Sequence, residues 1–144
     1  MALVLHRSDG DIPIERVKQL VGYAVWMPTE EKLNRIFNEK YSSSNTALYL
    51  FQDNDEAIGV IGIKRTKQAT AEILHIAVEG TRRNRGIGRQ MIEELLKTED
   101  ISELCAETDK DVVDFYRRCG FTVRSLGEKY PGTERFLCTL KERP

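Results

Sequence analysis

At 144 residues, with 40% hydrophobic and 31% charged side chains, the chain has the size and composition of one domain with a single core. A net charge of −1 gives no field to attract nucleic acid, and no run approaches the ~18 consecutive apolar residues of a membrane helix. Arg7 and Asp9 interrupt the N-terminus before a signal-peptide core can form, so the cytoplasm is the expected compartment, and the odd cysteines Cys105, Cys119 and Cys138, without a CxxC pair, argue for reduced thiols and no metal.

Leu3 to Leu5 reads as a short strand, and Ile14, Val17, Leu20 and Val21 recur at helical spacing behind Pro13. A second helix starts after Pro28, with Thr29 as N-cap and Leu33, Ile36 and Phe37 as its apolar stripe. Between the two helices lies an apolar and aromatic junction, Tyr23 to Pro28. From Ala47 the pattern becomes β-branched and aromatic. Runs at 47–52 and 57–65, separated by Asp53-Asn54-Asp55, predict a hairpin.

A third run, Ala71 to Val78, follows the polar connection Lys67 to Thr70 and alternates Glu72, Leu74, Ile76 and Val78 against Ile73, His75 and Ala77. Ile87, Met91, Ile92, Leu95 and Leu96 then form a clean helical stripe to about Thr98. Leu104 to Thr108 is a strand, Val112 to Tyr116 marks a further helix, and Gly120 closes it. Runs at 121–126 and 135–140 flank the turn Tyr130-Pro131-Gly132-Thr133. The sum is an α+β or mixed α/β domain over 1–144, with a predominantly antiparallel sheet and one strand–helix–strand crossover near residues 71–109.

Chemistry concentrates at 82–89. Gly86 and Gly88 stand where a strand turns into a helix, and a residue without Cβ lets backbone N–H groups approach an anion at the positive helix end. Arg82, Arg83, Arg85 and Arg89 surround that end, where the dipole favours acidic residues, so a bound anion is the natural compensation. A P-loop requires Lys and then Ser or Thr after the glycine, but Arg89-Gln90 follows Gly88; a dinucleotide fingerprint requires glycine where Met91 stands.

Arg83-Asn84-Arg85-Gly86-Ile87-Gly88 matches in full the Gln/Arg-x-x-Gly-x-Gly/Ala signature of the GNAT N-acetyltransferases, and the chain resembles that superfamily. The strand Glu72 to Val78 before it and Asp114-Phe-Tyr-Arg-Arg-Cys-Gly-Phe121 after it match the adjoining family segments, so the resemblance covers essentially the whole chain. It implies a twisted, mostly antiparallel sheet of six to seven strands flanked by about four helices, with a splayed parallel strand pair around the coenzyme.

By the same resemblance, backbone amides of Arg83 to Gly88, with Arg89 beside them, would hold the pyrophosphate of acetyl-CoA, the cosubstrate. Ile76, Ala77 and Val78 would carry the pantetheine arm, with the Ile76 amide near the thioester oxygen. Freeing that amide requires a bulge or splay near 76–78. Tyr116 would protonate the departing thiolate, and Glu72 would take the amine proton directly or through water. The residues alone favour a core aromatic for Tyr116 and leave Glu72 equally an exposed strand glutamate.

His75 is expected on the strand face opposite Glu72, Leu74 and Ile76, as a packed structural histidine, and Cys119 as a small buried residue. At 107–109, where family members contact the coenzyme through asparagine, stand Glu107, Thr108 and Asp109. Tyr23, Trp26, Met27 and Tyr130 are the candidates for an acceptor pocket. The implied activity is acetyl transfer to a primary amine of a small molecule or protein, by a monomer or homodimer with neither nucleic acid nor membrane as partner. The competing readings are an acyl-CoA sensor without turnover, and a cysteine hydrolase pairing Cys105 or Cys119 with His6 or His75.

Overall fold

The structure, a computed structural model, describes residues 1–6, 10 and 12–141; Arg7 and Asp9 fall outside the described residues. Strand β1 (Ala2–Leu5) is followed by α1 (Ile14–Gly22) and α2 (Glu30–Glu39), then β2 (Thr46–Asp53), β3 (Glu56–Lys67) and β4 (Thr70–Val78). Helix α3 (Ile87–Thr98), β5 (Glu103–Asp109), α4 (Val113–Arg118) and the hairpin of β6 (Thr122–Tyr130) with β7 (Thr133–Lys141) complete the chain. One seven-stranded sheet runs β1-β2-β3-β4-β5-β7-β6, antiparallel except between β4 and β5.

Local chemistry explains the boundaries. The Thr29 hydroxyl accepts the Lys32 amide at 3.1 Å and starts α2. Asn54 and Asp55 both take positive φ, 49° and 69°, in the two-residue turn between β2 and β3. The connection expected over Lys67 to Thr70 tightens to Gln68-Ala69, since β3 reaches Lys67 and β4 starts at Thr70. Gly120, at φ 93°, lies just beyond the last turn of α4, where the Phe121 amide returns to the Tyr116 carbonyl at 3.0 Å.

Helices cover both faces. On one, Ile92 and Leu95 of α3 and Val113 and Tyr116 of α4 pack with Ile61, Ile63, Ile73, Leu104 and Ala106. On the other, Val17, Leu20 and Val21 of α1 meet Leu48, Leu50, Val60 and Ala77, with Leu33 and Phe37 of α2 alongside. Helix α3 comes so close to the sheet that a Cβ on Gly59 would lie 2.9 Å from the Met91 sulfur.

The parallel β4–β5 ladder is short. It pairs Thr70, Ala71 and Glu72 with Glu103, Leu104 and Cys105, and then the strands diverge. The splay expected at 76–78 therefore begins at Ile73. The β3 register steps from Gly62–His75 to Ile63–Ile73, which leaves Leu74 as a bulge rather than a residue of 76–78.

Candidate functional site

Beyond β4 the chain makes a single 3-10 turn, Gly80–Arg82, and enters the loop before α3. Asn84 and Gly86 take φ of 64° and 77°, whereas Arg85 between them does not; alternating handedness turns consecutive N–H groups into a concavity. Gly86 is the N-cap of α3, no side chain caps that helix, and its first turn holds no acidic residue. The first-turn amides thus lack protein acceptors at the end where the dipole is positive.

These amides open on a cleft of about 730 Å³. Ile76, Ala77 and Val78 line it from β4, Arg83, Asn84 and Gly86 to Arg89 from the loop and α3, and Tyr23 from the end of α1. The far wall comes from Val112, Phe115, Arg118 and Cys119. That wall was missed in the sequence, although 112, 115 and 119 follow one another at helical spacing on a single face.

The backbone of β4 presents an open edge to the cleft. The Glu79 amide donates to the Ile58 carbonyl at 2.8 Å, and residues of an antiparallel pair face their partner alternately. Ala77 and Glu79 therefore turn to β3, while the N–H and C=O groups of Ile76 and Val78 turn toward the splay.

Gly88 has a different reason from the expected anion approach. A Cβ there would lie 2.8 Å from the Phe115 ring, so glycine lets α3 and α4 close on each other beside the cleft. Gly86 has open space around it, and its positive φ is what calls for glycine.

The four arginines separate. Arg82 binds Asp53 at 2.8 Å and approaches Glu56 at 3.7 Å, which ties the loop to the β2–β3 turn. Arg89 pairs with Glu93 one helical turn on, at 3.2 Å. Arg83 donates through Nε to the Val78 carbonyl at 3.0 Å and lies 5.2 Å from the centre of the Tyr23 ring. Exposed Arg85 meets no carboxylate among the described residues.

Tyr116 is 4% exposed, wedged edge-on between the rings of Phe115 and Phe121. Burial pushes its phenol well above the usual tyrosine range. Its hydroxyl has no hydrogen-bond partner among the described residues, and no described side-chain polar atom is both sealed and unpartnered; the oxygen therefore opens on a surface. It is Phe115, not Tyr116, that lines the cleft wall.

The bulge at Leu74 corrects the expected alternation of β4. Glu72 pairs with Lys64 and His75 with Gly62; Lys64 and Gly62 are two apart on β3, so Glu72 and His75 share a face. His75 remains opposite Ile76. Its Nδ1 lies 2.6 Å from the Tyr41 hydroxyl, in space that Gly62 leaves open, since a Cβ there would fall 1.8 Å from the Tyr41 oxygen. Burial, aided by Lys40, holds the imidazole down at about 4.

Cys119 is half-buried and lines the cleft, rather than being the enclosed residue expected, because α4 turns that face outward. Burial raises the Cys105 and Cys119 thiols, and no histidine reaches either by hydrogen bond among the described residues. The nucleophilic pair of a cysteine hydrolase is therefore not assembled there. At the end of β5, Glu107 binds Lys129 at 2.6 Å and Arg135 at 3.4 Å, and Asp109 accepts the Asp111 amide at 2.9 Å. Neither these carboxylates nor buried Thr108 line the cleft.

Of the acceptor candidates, the cleft gathers Tyr23 alone. Trp26 and Met27 stand 81% and 64% exposed beyond α1, and Tyr130 stands 66% exposed at the β6–β7 tip. Lys32 fixes the junction by donating to the Trp26 and Met27 carbonyls at 3.0 and 3.2 Å, and Met27 carries φ 47°.

A family model described as acetyltransferase (GNAT) domain matches residues 44–123. An uncharacterized N-acetyltransferase in the lysA 3′ region of Bacillus methanolicus is 30% identical over 81 residues, 54% of this chain and 68% of that one. Among solved structures, a GNAT family acetyltransferase from Elizabethkingia anophelis with acetyl-CoA bound superposes at TM-score 0.68, with 23% identity and 97% of each chain covered. An aminoglycoside 6′-N-acetyltransferase complexed with coenzyme A superposes at TM-score 0.81 and 15% identity, over 100% of this chain and 98% of that one. These two likenesses are of fold. Among the described residues no helix is long and apolar enough to cross a membrane.

Proposed function

The chain belongs to the GNAT acetyltransferase family, and we propose that residues 1–144 form a single domain that moves the acetyl group of acetyl-CoA to a primary amine by direct transfer in a ternary complex. The observation that carries the donor assignment is the meeting, in one cleft, of the Ile76–Val78 edge, which no strand pairs, with the uncapped N-terminus of α3. A pantetheine arm is a short diamide that can extend the sheet along the first, and a pyrophosphate fits the second. The coenzyme complexes of the two structural neighbours support this assignment.

In this reading the amine nitrogen bonds to the thioester carbonyl carbon, with the developing oxyanion beside the Ile76 amide. The carbon–sulfur bond then breaks and the thiolate takes the Tyr116 proton, the phenol being restored from solvent. The amine proton passes to Glu72, directly or through water, and from Glu72 to solvent. Tyr116 suits the acid role because its hydroxyl has no competing partner among the described residues. Glu72 suits the base role because it stands where β4 and β5 part.

The acceptor class we assign is a small-molecule or protein amine; Trp26, Met27 and Tyr130, exposed and outside the cleft lining, carry no part of that assignment. Isothermal titration with acetyl-CoA, followed by coenzyme release over an amine panel, tests the proposal. Binding with turnover that collapses in Tyr116→Phe supports it; no binding at high micromolar acetyl-CoA overturns it. Binding without turnover on any amine points instead to an acyl-CoA sensor.

A further inference from the structure

Arg83 belongs to the phosphate-binding loop by sequence, yet its guanidinium is engaged elsewhere. Nε donates to the Val78 carbonyl at 3.0 Å, and that carbonyl lies on the strand edge that faces the splay. The guanidinium carbon sits 5.2 Å from the centre of the Tyr23 ring. Tyr23 is itself anchored. It caps α1 with its amide on the Leu20 carbonyl, and α1 is tied to the chain just beyond β4 by Arg16, which grips Glu79 at 2.6 Å and donates to the Ala57 carbonyl at 2.7 Å. The backbone that carries the ring is thus anchored, whereas the Arg83 side chain is exposed.

We propose that Tyr23 and Arg83 form a selectivity latch that covers the Val78 edge of β4 until a pyrophosphate draws the guanidinium away, so that the site discriminates against thioesters lacking the phosphates. Tyr23 is then a positioning residue acting through Arg83 on the donor side, not an acceptor contact. The inference rests on the coenzyme assignment above.

The physical ground is competition for one carbonyl. A cation over an aromatic ring is favourable, and a guanidinium also satisfies the carbonyl beneath it. A ligand amide that needs the same carbonyl must displace both contacts. A complete coenzyme brings a doubly charged pyrophosphate to the amides of α3 and gives the guanidinium a stronger partner. A phosphate-free thioester offers no such exchange and must overcome the stack unaided.

The test measures affinity for coenzyme A by titration, and the KM for acetyl-CoA and for S-acetylpantetheine, in the wild type, Tyr23→Phe, Tyr23→Leu, Arg83→Met and the Tyr23→Leu/Arg83→Met double variant. Removing the ring in Tyr23→Leu is expected to lower the KM for S-acetylpantetheine about three- to five-fold, the equivalent of a surface cation–π contact, and to narrow its gap from acetyl-CoA. Tyr23→Phe keeps the ring and the gap. In the Arg83→Met background Tyr23→Leu has no further effect on S-acetylpantetheine.

An unchanged or raised S-acetylpantetheine KM in Tyr23→Leu overturns the latch, as does an equal effect of Tyr23→Leu with and without Arg83. Circular dichroism and the thermal midpoint of each variant separate these outcomes from misfolding, and Tyr23→Phe with Arg83→Met tests the pair again if Tyr23→Leu unfolds. Failure of the wild type to bind coenzyme A refutes the coenzyme assignment itself, a result distinct from binding without selectivity.

Discussion

Glu72 and Cys105 face each other on the last rung of the parallel ladder, and the strands separate one residue later. The Glu72 charge is one of the influences that raise the Cys105 thiol, after burial. The Glu72 carboxylate thus stands at the root of the splay, beside a thiol that burial and nearby carboxylates hold protonated.

Replacing Glu72 by Gln is therefore expected to do two separable things. Turnover falls roughly 10²-fold if Glu72 is the base, the usual scale for a positioned proton acceptor. Independently, Cys105 alkylates faster at pH 8, because a repelling charge next to its thiolate is gone. Pre-steady-state coenzyme release and iodoacetamide labelling read the two effects in one preparation; a Cys105 rate that drops would contradict the influence of the Glu72 charge on its paired thiol.

Tyr116→Phe removes a hydroxyl that no described residue binds, so the fold loses no internal hydrogen bond. The thermal midpoint should stay within about a degree or two, with coenzyme affinity little changed, while turnover falls roughly 10²- to 10⁴-fold. Because burial raises the phenol, the wild-type acid remains protonated through neutral and mildly alkaline pH, and its activity shows no fall on that limb from Tyr116.

Gly88→Ala meets the Phe115 ring at 2.8 Å. Forcing a methyl into such a contact costs about 1–3 kcal/mol, and it pushes α4 off the cleft wall that Phe115 forms. Both urea midpoint and coenzyme affinity are expected to fall. Gly88→Ala combined with Phe115→Leu should recover a good part of the stability, which a purely backbone effect would not allow.

His75 sets a pH dependence. Its folded value, about 4, lies below the ordinary imidazole value near 6.5, so the unfolded chain takes up a proton that the native one refuses. The contribution is complete above about pH 6.5, declines as the pH falls, and is gone near pH 4. Over that window it amounts to roughly 3 kcal/mol at most. Stability curves against pH for the wild type and His75→Gln should converge toward pH 4, and an identical slope in both refutes the assignment.

Much of the site was legible before any tertiary structure because it is built from local chemistry. The glycine turn into α3, the amphipathic stripe of that helix, the turn around Asn54 and Gly120 after α4 each follow from a few neighbouring residues. The phase of β4 was not legible. Strict alternation sets Glu72 against His75, whereas the bulge at Leu74 puts them on one face, and a bulge arises from pairing with β3 rather than from the letters of β4. Nor does a row of arginines announce that Arg82 is committed to Asp53 and Arg83 to Tyr23, since those partners lie far away in sequence.

The sequence by itself determined the loop, its helix and the order of elements, because turn geometry, caps and periodicity act within a few residues. The tertiary structure alone decided where the sheet splays, which backbone edge stays without a strand partner, why Gly88 must be glycine and which arginines pair with no carboxylate among the described residues. Each of these depends on two segments distant in sequence arriving at the same few ångströms, and only packing brings them there.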